Sequence, residues 1–138
     1  WRPLVDPYVG SRALYWCPVD TTSKYKYDST SYAYLQAFFH NAADMTAANL
    51  GGYRTCSKPT APQGLADVTH PDTKILMYEW YTNHESPQRT MWTDNGLHAA
   101  AFVDGHAAML RQEHLRLNAL GDHDPNWTVG GISGEDVP

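Results

Sequence analysis

Three oxygen-bearing side chains near the end of the chain have a spacing that suits a metal ion. Asp122, Asp124 and Asn126 follow the order D-x-D-x-N within the acidic, glycine-rich tail. Alternate positions of a tight loop supply the carboxylate and amide oxygens that calcium prefers. A complete EF-hand loop is absent, because the glycine and glutamate that it needs farther along are missing. The spacing therefore predicts either a calcium site or an acidic, solvated loop with Asx turns.

The two cysteines could form a second kind of chemical feature. Cys17 and Cys56 flank a tyrosine-rich region and have no C-x-x-C spacing, so neither a zinc knuckle nor a redox pair is indicated. One interpretation is a disulfide, which would stabilise the fold by ~3 to 4 kcal/mol and indicate an exported, oxidising environment. The other interpretation is a pair of unrelated buried thiols in a cytosolic domain.

Glu79 is the strongest candidate for acid–base chemistry, because it lies inside the apolar run KILMYEWY. It shares a predicted strand face with Ile75, Met77 and Tyr81. A carboxylate in such surroundings can have a raised pKa and act as an acid or base, or it can accept structural hydrogen bonds. The sequence holds no P-loop, HExxH, GxSxG or dinucleotide-binding motif. We therefore expect no catalytic activity.

Composition limits the classes of partner. The 138 residues suit one domain, and the net charge of -5 lacks the basic excess that binding a phosphate backbone needs. Aromatic residues make up 12% of the chain and charged residues only 18%, which is unlike a disordered sequence. The longest apolar stretch, Ala99 to Val103, is far shorter than the ~20 residues of a membrane-spanning helix. We expect a folded domain with no nucleic-acid partner.

These candidate residues must be positioned by a mostly β fold with extended loops. The pattern divides the chain into an irregular lead-in (1–24), a region of sheet and loops (25–110), and a short helix followed by the acidic tail (111–138). Alternation of tyrosines predicts a strand or hairpin between Tyr25 and Phe39, and the run from Lys74 to Tyr81 predicts the clearest strand. The short helix is expected within Glu113 to Leu120. The fold class is therefore α+β with an antiparallel sheet.

A hairpin is predicted around Asp104 and Gly105, since Asp-Gly between two apolar runs is typical of a two-residue type I′ turn. This turn would pair Val103 with His106. It would place on one face His98, Ala100, Phe102, Ala107 and Met109, and on the other Ala99, Ala101, Val103, His106, Ala108 and Leu110. Both faces are largely apolar, so we expect each face of the sheet to be covered.

Four motifs, taken in their order along the chain, resemble those of the bacterial prepilin-like proteins. These proteins are similar to type II secretion pseudopilins and type IV pilins. The motifs are LYWCPVD (14–20), SYAY (31–34), VTHPDTKILMYEW (68–80, with Glu79) and DNGLHAAAFVDGHAAML (94–110). The family's signature is a His followed after nine residues by Asp-Gly. Asp94 stands at the position of that His. The other matching positions are Asn95, Gly96, Phe102, Asp104, Gly105 and His106.

The resemblance implies a pilin-like head whose long apolar N-terminal helix is missing from this sequence. In such proteins that helix is cleaved by a prepilin peptidase, anchors the subunit in the inner membrane, and later packs in the filament core. The implied function is a structural subunit of a secretion pseudopilus or type IV-like pilus on the periplasmic or extracellular face. Its partners would be further copies of itself and other pseudopilins or secretion proteins, with membrane contact only through the helix. Major pseudopilins also commonly bind calcium in an acidic C-terminal loop.

A carbohydrate- or surface-binding module is the alternative, because exposed aromatic rings can stack on sugars. The tyrosines and tryptophans that could serve are Tyr25, Tyr27, Tyr32, Tyr34, Trp80 and Trp92. The competing explanation is that these rings pack in the core and on the sheet.

Overall fold

The computed structural model describes residues 1–23, 30–92 and 95–138. Within these ranges the fold is α+β in general type, with short helical turns around a four-stranded antiparallel sheet. The strands lie side by side in chain order: β1 (Tyr32–Tyr34), β2 (Ile75–Glu79), β3 (Leu97–Phe102) and β4 (Ala107–Arg111). The predicted strand at 74–81 and the predicted hairpin are therefore both present.

The helical segments are short. One four-residue α-helix, α1 (Arg2–Val5), lies in the lead-in, and Pro7, which has no N–H to donate, prevents it from continuing. The remaining helical segments that the structure describes are single 3₁₀ turns: Asp6–Tyr8, Arg12–Tyr15, Gln36–Phe38, Ala42–Asp44, Ala47–Asn49, Gly52–Arg54, Leu65–Asp67, Gln112–His114, Pro125–Trp127 and Gly131–Ser133. Within the described ranges, no helix has the length and hydrophobicity needed to cross a bilayer.

The register of the β3–β4 hairpin differs from the prediction by one residue. Ala101 pairs with Ala107, and the turn spans three residues, because only Gly105 adopts a positive φ (96°) while Asp104 does not. This is a type I turn followed by a left-handed glycine instead of a type I′ turn. A slip of one residue exchanges the two faces of a strand. The core face of the hairpin therefore carries His98, Ala100, Phe102, Ala108 and Leu110, and the outer face carries Ala99, Ala101, Ala107 and Met109.

Two further predictions need correction. Of the strand expected between Tyr25 and Phe39, the described residues 30–39 form a strand at Tyr32–Tyr34 and then a 3₁₀ turn, and the part of the prediction at residues 25–29 lies outside the described residues. The helix expected within Glu113 to Leu120 is only the turn Gln112–His114. Its continuation is prevented because the backbone N–H groups of Arg116 and Ala119 donate to carbonyl groups of the C-terminal tail.

The core lies on one face of the sheet, called here the inner face. The sheet contributes Ala33, Ile75, Tyr78, Ala100 and Phe102 to it. Side chains from the turns and the tail join the same cluster: Leu35, Phe38, Met45, Met91, Leu115, Trp127 and Ile132. Trp127 is fully buried and its indole N–H donates to the Arg54 carbonyl, so the acidic tail is an integral part of the core.

A buried ion pair attaches the end of the tail to β2. Lys74 Nζ lies 3.0 Å from Asp136 Oδ2, and both side chains are almost completely buried. The same carboxylate accepts a hydrogen bond from the Ile75 N–H (2.8 Å), and the Lys74 ammonium also donates to Thr128. Every charge in this cluster therefore has a partner, as burial requires.

Candidate functional site

The opposite face of the sheet, called here the outer face, forms an open apolar groove. Alternation along the strands directs half-buried side chains to this face: Tyr32 and Tyr34 from β1, Met77 from β2, and Ala99 and Ala101 from β3. The groove has a volume of about 640 Å³. It extends onto β4 at Ala107, whose side chain is exposed.

The N-terminal segment forms one wall of the groove. The ring of Trp1 packs edge-on against Tyr15, with centroids 5.6 Å apart, and lies 6.4 Å from the ring of Tyr34. Val5 and Val9 add aliphatic surface to the wall. The segment is held in place because Tyr15 Oη donates to Asp6 Oδ1 at 2.8 Å, and because the Ser31 N–H donates to the Tyr15 carbonyl at 3.0 Å.

Large aliphatic side chains remain exposed at the rim of the groove. Leu14 is 69% exposed and Leu65 is 51% exposed, and both line the groove. Met109, on the same face of β4, is 45% exposed. Contiguous exposed apolar surface of this kind is typical of a surface that contacts a partner.

A separate polar cluster lies where β2 ends. Glu79 is completely buried, and its Oε2 accepts a hydrogen bond from the Ala99 N–H (2.7 Å) while its Oε1 accepts one from Asn83 Nδ2 (3.0 Å). The structural role weighed for this glutamate is therefore present. Two further side chains lie beside this carboxylate: His84 Nε2 is 3.6 Å from Oε1, and Cys17 belongs to the same cluster.

The predicted disulfide between Cys17 and Cys56 is not formed in this structure. Both cysteines are free thiols with different neighbours. Cys17 Sγ lies 3.6 Å from His84 Nε2, while Cys56 Sγ contacts the Asp44 carbonyl at 3.6 Å. The physical reason is local, because Cys17 is held beside β1 by its N–H, which donates to Ser31 Oγ (2.8 Å). Cys56 is held instead by an N–H bond to the Gln36 side chain.

Burial dominates the electrostatics of this polar cluster. Loss of solvent raises the pKa of the Cys17 thiol, and the nearby Glu79 carboxylate raises it further, although the Val19 backbone N–H that bonds the sulfur acts in the opposite direction. Burial also raises the pKa of Tyr32 to about 12, with Glu79 and Cys17 as the next causes. The thiol is therefore protonated at neutral pH and is not the activated thiolate of a nucleophilic cysteine.

Two of the three predicted calcium ligands, Asp122 and Asp124, lie beside Arg54. Its guanidinium contacts the Asp122 carboxylate, and its Nε lies 3.8 Å from Asp124 Oδ2. Asp124 Oδ1 caps a 3₁₀ turn by accepting from the Asn126 N–H (2.9 Å). The side-chain oxygen of Asn126 accepts from the Gln36 N–H at 3.1 Å.

This arrangement does not fit a calcium ion. The carboxylates face a positive side chain, and the amide oxygen of Asn126 is directed to a backbone N–H of another segment. Burial raises the pKa of Asp124 to about 7, with the Asn126 N–H and Arg54 opposing the shift.

The residues that resemble the prepilin-like signature lie in the hairpin and in the segment just before it. Asp104 Oδ1 accepts hydrogen bonds from the N–H and from Nδ1 of His106, and these contacts lower the pKa of Asp104. The His106 ring stacks on Phe102 with centroids 4.0 Å apart. Gly105 supplies the positive φ of the turn. This part of the signature therefore stabilises a turn.

The structure describes only part of the segment from Asp94 to Gly96. Asp94, at the position of the His in the signature that this sequence resembles, lies outside the described residues. Asn95 has a left-handed backbone (φ 70°), and Gly96 lies so close to Thr82 that a Cβ at this position would be 2.2 Å from the threonine Cγ2. The Asn-Gly pair therefore allows the chain to pass close to the loop after β2.

His84 is the residue that sequence reasoning missed. It lies in a turn five residues after Glu79, and it shares no motif with Cys17, from which it is 67 residues distant. A histidine soon after a strand that carries a buried glutamate was the only available signal.

Comparisons of this chain with protein-family models, with curated proteins and with solved structures found no match. The function of the chain must therefore be argued from the groove and the polar cluster.

Proposed function

We propose that this protein is a structural subunit of a secretion pseudopilus or a type IV-like pilus and acts by assembly. The observation that carries the proposal is the open apolar groove on the outer face of the sheet. The inner face is covered by the turns and the tail, whereas the groove leaves apolar side chains of the sheet and of the N-terminal segment accessible. Burying this surface is favourable at roughly 25 cal/mol per Å², which supports an apolar partner.

The occupant that we propose is an apolar helix. Ala99, Ala101 and Ala107 form part of the groove floor, and their short side chains allow a helix axis to approach the sheet closely. In the prepilin-like proteins that this sequence resembles, the second half of the N-terminal helix covers one face of the sheet. Trp1 lies in the wall of the groove, so a helix leading into Trp1 would reach the groove without a connecting loop.

The proposed helix also implies where the subunit is located and which partners it contacts. The helix anchors the subunit in the inner membrane before assembly, with the folded head on the periplasmic or extracellular side. In the filament the helices pack together, and the partners are further copies of the subunit and other pseudopilins or secretion proteins. No reacting group of the head is needed for this role.

Assembly of the full-length protein tests the proposal. Ala101→Arg places a long charged side chain in the groove, and Ala48→Arg is the matched control because Ala48 is exposed in a turn outside the groove. We expect the control to sediment with filaments from sheared cells, and we expect Ala101→Arg to be lost from that fraction. Circular dichroism and melting of the head domain establish that both variants fold. Equal assembly of the two folded variants would contradict the proposal.

A surface-binding module predicts a different result. The half-buried tyrosines of the groove, Tyr32 and Tyr34, would then be the binding residues. Polysaccharide binding that is lost in Tyr32→Ala and Tyr34→Ala, combined with unchanged assembly in Ala101→Arg, would favour that module over the filament subunit.

A further inference from the structure

Three potential metal ligands converge at the end of β2. Cys17 Sγ, Glu79 Oε1 and His84 Nε2 all lie within 4.8 Å of one another. The sulfur and the carboxylate oxygen are each 3.6 Å from the same ring nitrogen. Cys17 and Glu79 are buried, whereas the His84 side chain is 41% exposed, so the cluster opens to solvent on the histidine side.

The separations match those between ligands of a tetrahedral zinc ion. Zinc binds sulfur at about 2.3 Å and imidazole nitrogen at about 2.0–2.1 Å, so at the tetrahedral angle these two atoms lie about 3.5 Å apart. The observed distance of 3.6 Å between Cys17 Sγ and His84 Nε2 agrees with this value. The distance of 3.6 Å between His84 Nε2 and Glu79 Oε1 is too long for a hydrogen bond and suits two atoms that share an ion.

The direction of the contacts argues for a metal site instead of a catalytic triad. In a triad, the nucleophile and the acid face opposite nitrogens of the imidazole ring. Here Cys17 and Glu79 both face Nε2 of His84. One nitrogen cannot serve as both ends of a proton relay, but it can be one of several ligands around a single ion.

Neighbouring backbone and side-chain groups orient the two buried ligands. The Val19 N–H bonds the Cys17 sulfur, and the Cys17 carbonyl accepts from the Asp20 N–H at 2.9 Å, which closes a tight turn around the cysteine. Asn83 Nδ2 donates to Glu79 Oε1 at 3.0 Å. Such outer contacts hold ligands in position and strengthen metal binding.

We propose that Cys17, Glu79 and His84 bind one zinc ion, with the fourth position open to water on the exposed side of His84. A thiolate, an imidazole and a carboxylate form a donor set that suits zinc better than calcium or magnesium. The ion would connect the N-terminal segment, the end of β2 and the following loop. On binding, the thiol proton is released, so binding strengthens as the pH rises.

Zinc titration of the metal-free chain tests this site. His84→Ala removes the exposed ligand without disturbing the core, and His114→Ala is the matched control, since His114 is also an exposed histidine. We expect calorimetry to show one zinc ion per chain for the natural sequence and for His114→Ala. The affinity of His84→Ala should fall at least about tenfold, because even outer-shell changes cost 10- to 100-fold.

Cobalt supplies a second readout that reports the sulfur ligand directly. A cobalt–thiolate charge-transfer band should appear with the natural sequence and should be lost in Cys17→Ser, while Cys56→Ser should retain it. Equal zinc affinity in His84→Ala and His114→Ala would overturn the proposal. Absence of a stoichiometric zinc site in the natural sequence would also overturn it. Neither result depends on whether the protein assembles into filaments.

Discussion

Ala101 lies directly opposite Ala107 across β3 and β4, and both side chains line the groove on the outer face of the sheet. This pairing follows from the three-residue turn at Gly105, which fixes which residues of β4 share a face with those of β3. With the predicted two-residue turn, Ala107 would instead have faced the core. A single turn therefore decides that small side chains line the surface to which we assign assembly.

The turn glycine is predicted to contribute to stability through its backbone alone. In Gly105→Ala the new methyl group meets no atom within 4 Å, but the residue must keep a φ of 96°. We expect a loss of about 1–2 kcal/mol in the free energy of unfolding, measured by urea denaturation. Gly10→Ala is the control, because its Cβ also meets nothing and its φ is not in the left-handed region. The same loss in both variants would contradict this explanation.

The buried ion pair is predicted to matter far more than the exposed pair beside it. Asp136→Asn leaves the Lys74 ammonium buried without its counter-ion, so we expect a loss of about 3–5 kcal/mol in stability. Glu135→Gln removes the partly exposed contact with Arg116 and should cost about 1 kcal/mol or less. Chemical denaturation of the two variants checks this ranking, and similar losses would show that the ion pair does not hold the tail.

His98 should make stability depend on pH in a defined direction. Burial lowers its pKa to about 4, while its Nδ1–H donates to the Glu79 carbonyl at 3.1 Å. An unfolded histidine has a pKa of about 6.5, so between these values the unfolded state binds more protons than the native state. Neutral His98 therefore makes its full contribution to the free energy of unfolding above about pH 6.5. This contribution is lost as the pH falls toward 4, by at most about 1.4 kcal/mol per pH unit.

The measurement for His98 is the difference in unfolding free energy between the natural sequence and His98→Gln from pH 7 to pH 4. Groups common to both proteins cancel in this difference. The natural sequence should lose stability relative to the variant as the pH falls. A difference that stays constant over this range would contradict the assignment.

Calcium should not stabilise the fold, because Arg54 already faces Asp122 and Asp124. We expect equal melting midpoints in calcium and in a chelator at matched ionic strength. A midpoint that rises with calcium would contradict this expectation and would indicate that the ion binds the native state.

Both cysteines are predicted to react as thiols. Alkylation of the unfolded, unreduced protein should add two labels per chain, because the structure has Cys17 and Cys56 free with separate neighbours. Intact mass measures the number of labels. A chain that takes up label only after reduction would contain the disulfide and would contradict the structure at these positions.

Local patterns predicted the sheet better than they predicted contacts between distant segments. The run from Lys74 to Tyr81 is rich in strand-forming residues, and β2 forms within it. The Asp-Gly pair correctly predicted the hairpin but not its register, since two different turns use glycine at this position and only the backbone φ of Asp104 separates them.

The polar cluster could not be predicted, because it depends on tertiary contacts. Cys17 reaches Glu79 through Ser31, whose side chain bonds Cys17 and whose carbonyl accepts from the Trp80 N–H. His84 joins them because the loop after β2 folds back on itself. The spacing of its acidic residues predicts a solvated loop or a calcium site for the tail, whereas Trp127 and Asp136 of the tail are buried in the structure.

The sequence of the gene upstream of the Trp1 codon tests the assembly proposal most directly. We predict an apolar stretch of about 20 residues, long enough to span a bilayer, preceded by a short basic leader that ends in glycine at the cleavage point. The fifth residue of the mature protein should be glutamate. A secretory signal peptide ending near Trp1, or another folded domain, would contradict the filament subunit and leave the groove without the helix proposed to fill it.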